Sequence, residues 1–559
     1  MTRGVPVGEP SDRVRRRLRA AGRFADAARL AMRGLLRPLA DLGRFAPGLR
    51  RGRRLVLVQV DGVSHRRLER AMADGWMPAL AARLASGRHL LATSRSGAPA
   101  STPAFQAGLF YGVSPSVPGF VWFDRETRRE VRMDRPEDAA GVERRLARRA
   151  PGLLRGGTSY FSIFSGGAAL PHFCLSGLAG DSELDWTAPH VGAWDALAST
   201  LAQSVVTARG ALRVFHEAGE GLWDGVRWSL TLGRMKHEPR FFAHRLIFGA
   251  IFRELAVQGI LVDLSRGIPA VFVDFIGFDE TAHRRGPDAE AAQRCLATID
   301  VALAMIFAAA DAVPELGYEV HVFSDHGHVP TLPFESLAGA PFPEFVALAD
   351  RGAPLPRGPG ARPAGEILGA HARGARMDGV AVAEAGDLAH VYFLEDPGPL
   401  PLDGLRARHW RALAALSASR AVGLLGVRGG RRGFALVRGD VLDLANPTDV
   451  ERLPHPDPGL VATYLADLLA LPESGDIVVQ GWRGEGRDVV AYAWEFGSHG
   501  GIAPEELECF VVHPAGCALP FADATRPSQL HAWFEEIRAG AQEPLLPERD
   551  GRERGAPGP

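Results

Sequence analysis

Three apolar runs, each closed by acidic or imidazole side chains, limit what this chain can fold into. The first is Leu55-Val56-Leu57-Val58-Gln59-Val60, followed by Asp61-Gly62. The second is Ala270-Val271-Phe272-Val273, followed by Asp274-Phe275, and the third is Glu319-Val320-His321-Val322-Phe323, followed by Ser324-Asp325-His326. Runs rich in β-branched and aromatic residues, without polar alternation, are buried on both faces, as strands of a parallel sheet are. Helical stretches such as 288–310 lie between them. The fold class expected is therefore α/β, a mostly parallel sheet sandwiched by helices, with the functional site where the strand carboxyl ends emerge.

The chain has 559 residues, more than one simple core usually holds, so insertions are expected. Residues 341–469 change texture, opening on a Pro/Gly-rich stretch at 354–363. A strand-like 389–394, a helix over 405–417, and strands at 421–427 and 433–437 joined across Gly429-Gly430 follow. This pattern predicts a small α+β insertion. A helical insertion is expected over about 125–255, where Phe241, Phe242, Leu246, Ile247 and Ile251 recur among arginines. Residues 541–559 are Pro, Gly and charge, which predicts a disordered tail.

The segment 1–53 stands apart. Residues 1–54 hold fifteen arginines against four acidic residues. Val14, Leu18, Ala21, Ala25, Ala28, Met32, Leu35 and Leu39 share one face of a helix whose other face is mostly arginine. A basic amphipathic helix of this kind suits peripheral contact with an anionic membrane surface, a partner, or the protein's own core. Over the whole chain 64 basic residues balance 65 acidic ones, so the footprint of a nucleic-acid polymer is absent.

The four cysteines, Cys174, Cys295, Cys509 and Cys517, show no C-x-x-C pairing and are read as buried thiols, with a Cys509–Cys517 bridge as the alternative. No uncharged apolar stretch reaches the roughly 18 residues of a membrane span. The best candidate, 296–313, contains Asp300 and Asp311 and is read as a buried helix. The amino terminus lacks the continuous apolar core of a secretory signal. The expected location is cytoplasmic, peripheral on the inner membrane face if the basic helix binds lipid.

Polar residues at strand ends carry the chemistry. Asp61 ends the first run, Ser101-Thr102-Pro103 follows a turn-rich stretch, and Asp279 and His283 stand four apart before Gly286-Pro287. Asp325-His326-Gly327 ends the third run, and Gly497-Ser498-His499-Gly500-Gly501 comes late. Three carboxylates, three imidazoles and a hydroxyl are a mixed N/O donor set that suits zinc or a similar first-row ion. Six such ligands fill two sites of three and leave open positions. Two ions about 4 Å apart can clamp both oxygens of a phosphoryl transfer.

In order and spacing, Asp61-Gly62, Thr102 with Gly112-x-x-Pro115-x-x-x-Gly119, Asp279-x-x-x-His283-x-x-Gly286-Pro287, Ser324-Asp325-His326-Gly327 and His499-Gly500 resemble the motifs of the type I phosphodiesterase/nucleotide pyrophosphatase family of the alkaline phosphatase superfamily. The resemblance implies an alkaline phosphatase-like catalytic domain over 54–340 and 470–540, with 341–469 as a cap. It implies that Asp279, His283 and His499 hold one divalent ion, and that Asp61, Asp325, His326 and Thr102 hold the other. The ions would be Zn2+, with Mn2+ as the alternative. It also implies that Thr102 attacks phosphorus and becomes phosphorylated before water releases the group, with net retention at phosphorus.

The activity expected is hydrolysis of a phosphodiester or phosphomonoester, on a small-molecule or lipid substrate. A phosphotransferase or phosphomutase using the same site is the alternative, and a non-catalytic membrane-surface binding protein a further one. Thr102-Pro103-Ala104-Phe105-Gln106 lacks the Pro and Arg spacing of a sulfatase. Nucleotide-cleaving members place an Asn shortly after the Gly119 equivalent, where this chain has Phe120-Val121-Trp122-Phe123, so the resemblance does not extend to nucleotide specificity. Trp122 and Phe123 are read as core or as an apolar substrate wall. Ser101 competes with Thr102 as nucleophile. His328 is read as support for a ligand or as an exposed turn residue, His65 as lining the site or starting a helix, Asp274 as structural, and His390 as standing away from the site, with approach to it from the insertion as the alternative.

Overall fold

The structure is a computed structural model. It describes residues 53–179 except 115, isolated positions at 219, 221, 223 and 225, residues 245–356, and residues 372–540 except 378, 397, 431, 494 and 518. Residues 1–52 of the basic segment, most of 180–244 and the tail 541–559 lie outside the described residues.

A seven-stranded sheet forms the centre, in the order His89–Arg95, Glu508–Pro514, Tyr318–Phe323, Arg54–Val60, Ala270–Phe275, Thr158–Tyr160, Leu170–His172. The Arg54–Val60 strand lies between Tyr318–Phe323 and Ala270–Phe275, parallel to both. Glu508–Pro514 runs antiparallel to both its neighbours. The three apolar runs are thus adjacent, and their acidic carboxyl ends leave the sheet side by side.

Alternation along the Arg54–Val60 strand divides the core. Val56, Val58 and Val60 face one layer, built on the helices Phe252–Arg266 and Glu290–Ala312. Leu55 and Leu57 face the other, built on Thr102–Tyr111 and Pro527–Gly540. Both layers are closed to solvent, with Val56, Leu57, Phe272 and Leu296 fully buried. Glu290–Ala312 is long and apolar enough to cross a bilayer by composition, yet 78% of its apolar window is buried inside the protein. Burial against the sheet satisfies that apolar surface without lipid.

The first helix, His65–Ala73, starts where the Ser64 side chain accepts the Arg67 backbone N–H at 3.1 Å. His65 therefore opens a helix, where it pairs with Glu69 at 3.5 Å.

A second, all-antiparallel seven-stranded sheet follows the order Ala372–Met377, Val380–Ala385, Leu388–Phe393, Ile477–Gln480, Leu424–Gly429, Arg432–Val437, Asp440–Asp443. Its helices Phe342–Arg351, Leu402–Arg408 and Trp410–Ala418 cover one face. Pro458–Ala470 covers the other. Two differences from the sequence reading stand out. Ile477–Gln480, in a stretch assigned to the catalytic domain, sits at the centre of this second sheet. Thr158–Tyr160 and Leu170–His172, within the stretch read as a helical insertion, extend the main sheet. Strands of three residues are too short to show a period of two. All four cysteines are free and buried, so Cys509 and Cys517 form no bridge.

Candidate active site

Asp61 leaves the first strand on a turn whose second residue, Gly62, has φ +74°. A side chain at Gly62 would meet Asp279 Oδ1 and the His328 ring, each at 2.8 Å. The turn is thus tight because two groups of the site crowd it. The Gly62 N–H donates to Asp325 Oδ1 at 3.3 Å, tying two neighbouring strand ends together. The next neighbour, Ala270–Phe275, leads into the helix Gly277–Arg285, where Asp279 and His283 are one turn apart on one face.

His499 arrives from far along the chain. Val329–Pro333, just past Asp325-His326, pairs with Gly497–Ser498 and carries His499 to the strand ends. Gly386, in a turn of the second sheet with φ +68°, packs so closely that a Cβ there would lie 2.1 Å from the His499 carbonyl oxygen. The second sheet thereby buttresses the His499 loop.

Two buried groups of possible metal donors result. Asp61, Asp325 and His326 form one, and Asp279, His283, His328 and His499 the other, with donor atoms within 4.8 Å of one another in each. Every residue assigned from the sequence falls into one of these groups or, for Thr102, beside one. Thr102 is the first residue of its helix, and its Oγ1 lies 3.3 Å from His326 Nε2. Ser101 is the cap residue before it, and its Oγ has no hydrogen-bond partner among the described residues.

Three imidazoles present the same nitrogen to the site. His283 Nδ1 lies 3.1 Å from the Gly497 carbonyl, His326 Nδ1 3.2 Å from that of Gly327, and His499 Nδ1 2.9 Å from that of Ala100. A carbonyl can only accept, so Nδ1 carries the proton and Nε2 keeps its lone pair. Asp61 Oδ1 and Asp325 Oδ2 are buried without a hydrogen-bond partner among the described residues. Buried acceptors and aligned Nε2 lone pairs fit a divalent cation, which would supply the missing partner.

The electrostatics agree. Burial, reinforced by Asp325 and Asp279, holds the Asp61 carboxyl well above the usual range. Burial and then Asp279 push Asp325 up to about 7. Burial lowers His326 to about 3 and holds His499 well below its ordinary value. Burial also works to raise Asp279, but His283 and His328 outweigh it and hold it well below. Positive charge brought into the centre would relieve the carboxylates and leave the imidazoles as neutral ligands.

A match to the family model of type I phosphodiesterase/nucleotide pyrophosphatase covers residues 55–341, more than half of the chain and all the strand ends just described except His499. The chain belongs to that family. Its members are type I phosphodiesterases and nucleotide pyrophosphatases, which makes this chain a phosphoester hydrolase by family. No curated protein matches the chain. Among solved structures it is similar to phosphonoacetate hydrolase from Sinorhizobium meliloti 1021, in complexes with phosphonoacetate and with phosphonoformate. Identity is 18% in both, over 88% of this chain and 97% of that one, with TM-scores of 0.45 and 0.44.

Within this type I phosphodiesterase frame, several candidates take structural places. Asp274 accepts the side-chain amides of Gln59 and Gln106 at 3.1 and 3.0 Å, beneath the site. His390 is fully buried, bonded through Nε2 to the Pro118 carbonyl at 2.8 Å, and stays out of both donor groups. Trp122 and Phe123 belong to the main core, 1% and 8% exposed, and neither joins a donor group. His328 is fully buried, not an exposed turn residue, with Nε2 2.6 Å from Asp279 Oδ1.

The sequence reading missed a carboxylate pair behind the His499 loop. Asp387, between two strands of the second sheet, and Glu506 are both fully buried, and the Gly501 N–H donates to Glu506 Oε2 at 2.9 Å. Burial raises Asp387 to about 7, and burial together with Asp387 raises Glu506 well above its ordinary range. No local pattern marks the pair, because its members lie more than a hundred residues apart.

Proposed function

We propose that this chain is a two-metal phosphoester hydrolase, a phosphodiesterase or phosphomonoesterase, that works through a phosphorylated Thr102. The observation that carries this reading is the position of Thr102 Oγ1, 3.3 Å from His326 Nε2, at the amino end of a ten-residue helix beside two Asp/His clusters.

Asp279, His283 and His499 would hold one divalent ion, and Asp61, Asp325, His326 and the Thr102 oxygen the other. Zinc suits the imidazoles best, and manganese is the alternative. When bound, such ions supply Lewis acidity that favours the ionised hydroxyl and the charge building on the phosphoryl oxygens.

The chain's own residues do the rest. The helix that begins at Thr102 directs the positive end of its dipole at an incoming phosphoryl group. Thr102 Oγ1 gives up its proton and forms a bond to phosphorus as the bond to the leaving oxygen breaks, and the leaving oxygen takes up a proton and departs as an alcohol. Water then attacks phosphorus from the side the leaving group vacated, and the P–O bond to Thr102 breaks. Two in-line displacements give net retention. Burial of Asp61, Asp325 and His326 keeps bulk water from competing for the same donors. The substrate class that fits is a small-molecule phosphoester.

The deciding experiment is hydrolysis of an aromatic phosphodiester and the matching monoester by metal-loaded wild type, Thr102→Ala and Ser101→Ala, with and without an acceptor alcohol. The reading requires that Thr102→Ala lose turnover by about 10³-fold or more while metal still binds, and that Ser101→Ala keep it. Wild-type turnover in Thr102→Ala sinks the nucleophile assignment. Loss of free phosphate in favour of a phosphorylated alcohol would favour a transferase.

A further inference from the structure

We propose that His328 is a positioning residue for Asp279: its Nε2–H donates to Asp279 Oδ1 and sets the rotation of that carboxylate, without itself joining the metal. This rests on the two-metal reading above. Nothing in that reading assigns His328 a role, although its ring lies inside the donor group of the first site.

Distances separate a ligand from a supporting hydrogen bond. Two donors bound to one zinc ion at about 2.0–2.1 Å and a tetrahedral angle stand roughly 3.3–3.4 Å apart. His283 Nε2 and Asp279 Oδ2 are 3.3 Å apart, as two ligands of one ion would be. His328 Nε2 and Asp279 Oδ1 are only 2.6 Å apart. If Oδ1 and His328 Nε2 bound one ion, that spacing would squeeze the angle at the metal to roughly 80°, whereas it falls only about 0.1 Å short of a charge-assisted N–H···O bond.

The wiring of the rings gives an independent argument. His283, His326 and His499 each direct Nδ1 to a backbone carbonyl, which frees Nε2 for the site. His328 has the opposite arrangement. Its Nε2 is committed to Asp279, and its buried Nδ1 has no hydrogen-bond partner among the described residues. Gly62 closes the arrangement, because any larger residue there would push on Asp279 Oδ1 and the His328 ring together.

The consequence is functional. With His328 outside the coordination sphere, the first site has three protein ligands, Asp279, His283 and His499, and keeps an open position, as catalytic sites do. With His328 as a fourth ligand it would be closed, as structural sites are.

The test uses the full-length protein stripped and reloaded with Co2+, comparing wild type, His328→Gln and His328→Leu. Stoichiometry, affinity against a competing chelator and the visible Co2+ spectrum are read. Gln can supply an N–H where Nε2 stands, and Leu cannot. The expected result is two equivalents of Co2+ in all three proteins, with affinity at one site about 10–100-fold weaker in His328→Leu and within a few-fold of wild type in His328→Gln.

Loss of a whole equivalent, or a spectrum showing a ligand removed, would make His328 a ligand and overturn the inference. Wild-type affinity in His328→Leu would overturn it as well, leaving the two-metal reading intact. Wild type that takes up no metal would overturn both. Should His328→Leu fail to fold, the 1H–15N spectrum of wild type decides. A slowly exchanging ring N–H that vanishes in His328→Gln supports the bond to Asp279, and its absence refutes it.

Discussion

The imidazole rings of His326 and His499 lie face to face, their centroids 3.7 Å apart and their planes 13° from parallel. They belong to different donor groups, so the two candidate metal centres share a wall of two stacked rings. Residues in contact seldom act additively. Chelator competition on His326→Ala, His499→Ala and the double variant should show a coupling of about 0.5–3 kcal/mol in metal affinity. Strict additivity would mean that the two centres are independent.

Gly62→Ala should damage the site through both backbone and contact. The position has φ +74°, and the added Cβ would meet Asp279 Oδ1 and His328 at 2.8 Å. The strain should cost about 1–3 kcal/mol of stability, measured by denaturant unfolding, and metal affinity should fall with it. Unchanged stability and metal affinity would show that the turn can relax.

The Asp387–Glu506 pair should make stability depend on pH. Unfolded Asp titrates near about 3.9, whereas burial raises folded Asp387 to about 7. The folded state therefore holds the proton more tightly, and its contribution is present below the unfolded value and lost as pH rises through about 7. Between those values stability should fall with rising pH, by up to about 1.4 kcal/mol per unit for one proton. Asp387→Asn should flatten the profile in that window. An identical slope in the variant would locate the proton elsewhere.

Arg67 is 2% exposed and reaches Asp288 at 2.7 Å, the Pro287 carbonyl at 3.1 Å and Glu505 at 3.1 Å. It ties the first helix to the segment after the Asp279–His283 helix and to the short helix before the last strand. Removing one partner of such a group leaves Glu505 half-buried without its cation. Arg67→Ala should destabilise by about 1.5–3 kcal/mol in denaturant unfolding. A loss under about 1 kcal/mol would show that the pairs are merely surface contacts.

Much of the site was legible because its parts are local. Asp61, Asp279-x-x-x-His283 and Asp325-His326 each sit at or just past the end of an apolar run, and a helix places residues four apart on one face. Thr102 followed from the family resemblance, whose spacing back from Gly112 lands on it. The strands Thr158–Tyr160 and Leu170–His172 escaped because three residues carry no readable alternation. For Trp122 and Phe123 the sequence left core and substrate wall both open, because an aromatic ring reads the same in either, and their burial decides for the core.

By itself the sequence determined that three buried strands end in acidic residues with imidazoles close behind, because periodicity and spacing act over a few residues. Only the tertiary structure decided that His499 reaches those strand ends, through the pairing of Val329–Pro333 with Gly497–Ser498. It alone also turned His328 inward onto Asp279. Such choices depend on distances between segments far apart in the chain, and a hydrogen bond of 2.6 Å between positions 49 residues apart leaves no mark on either one's neighbours.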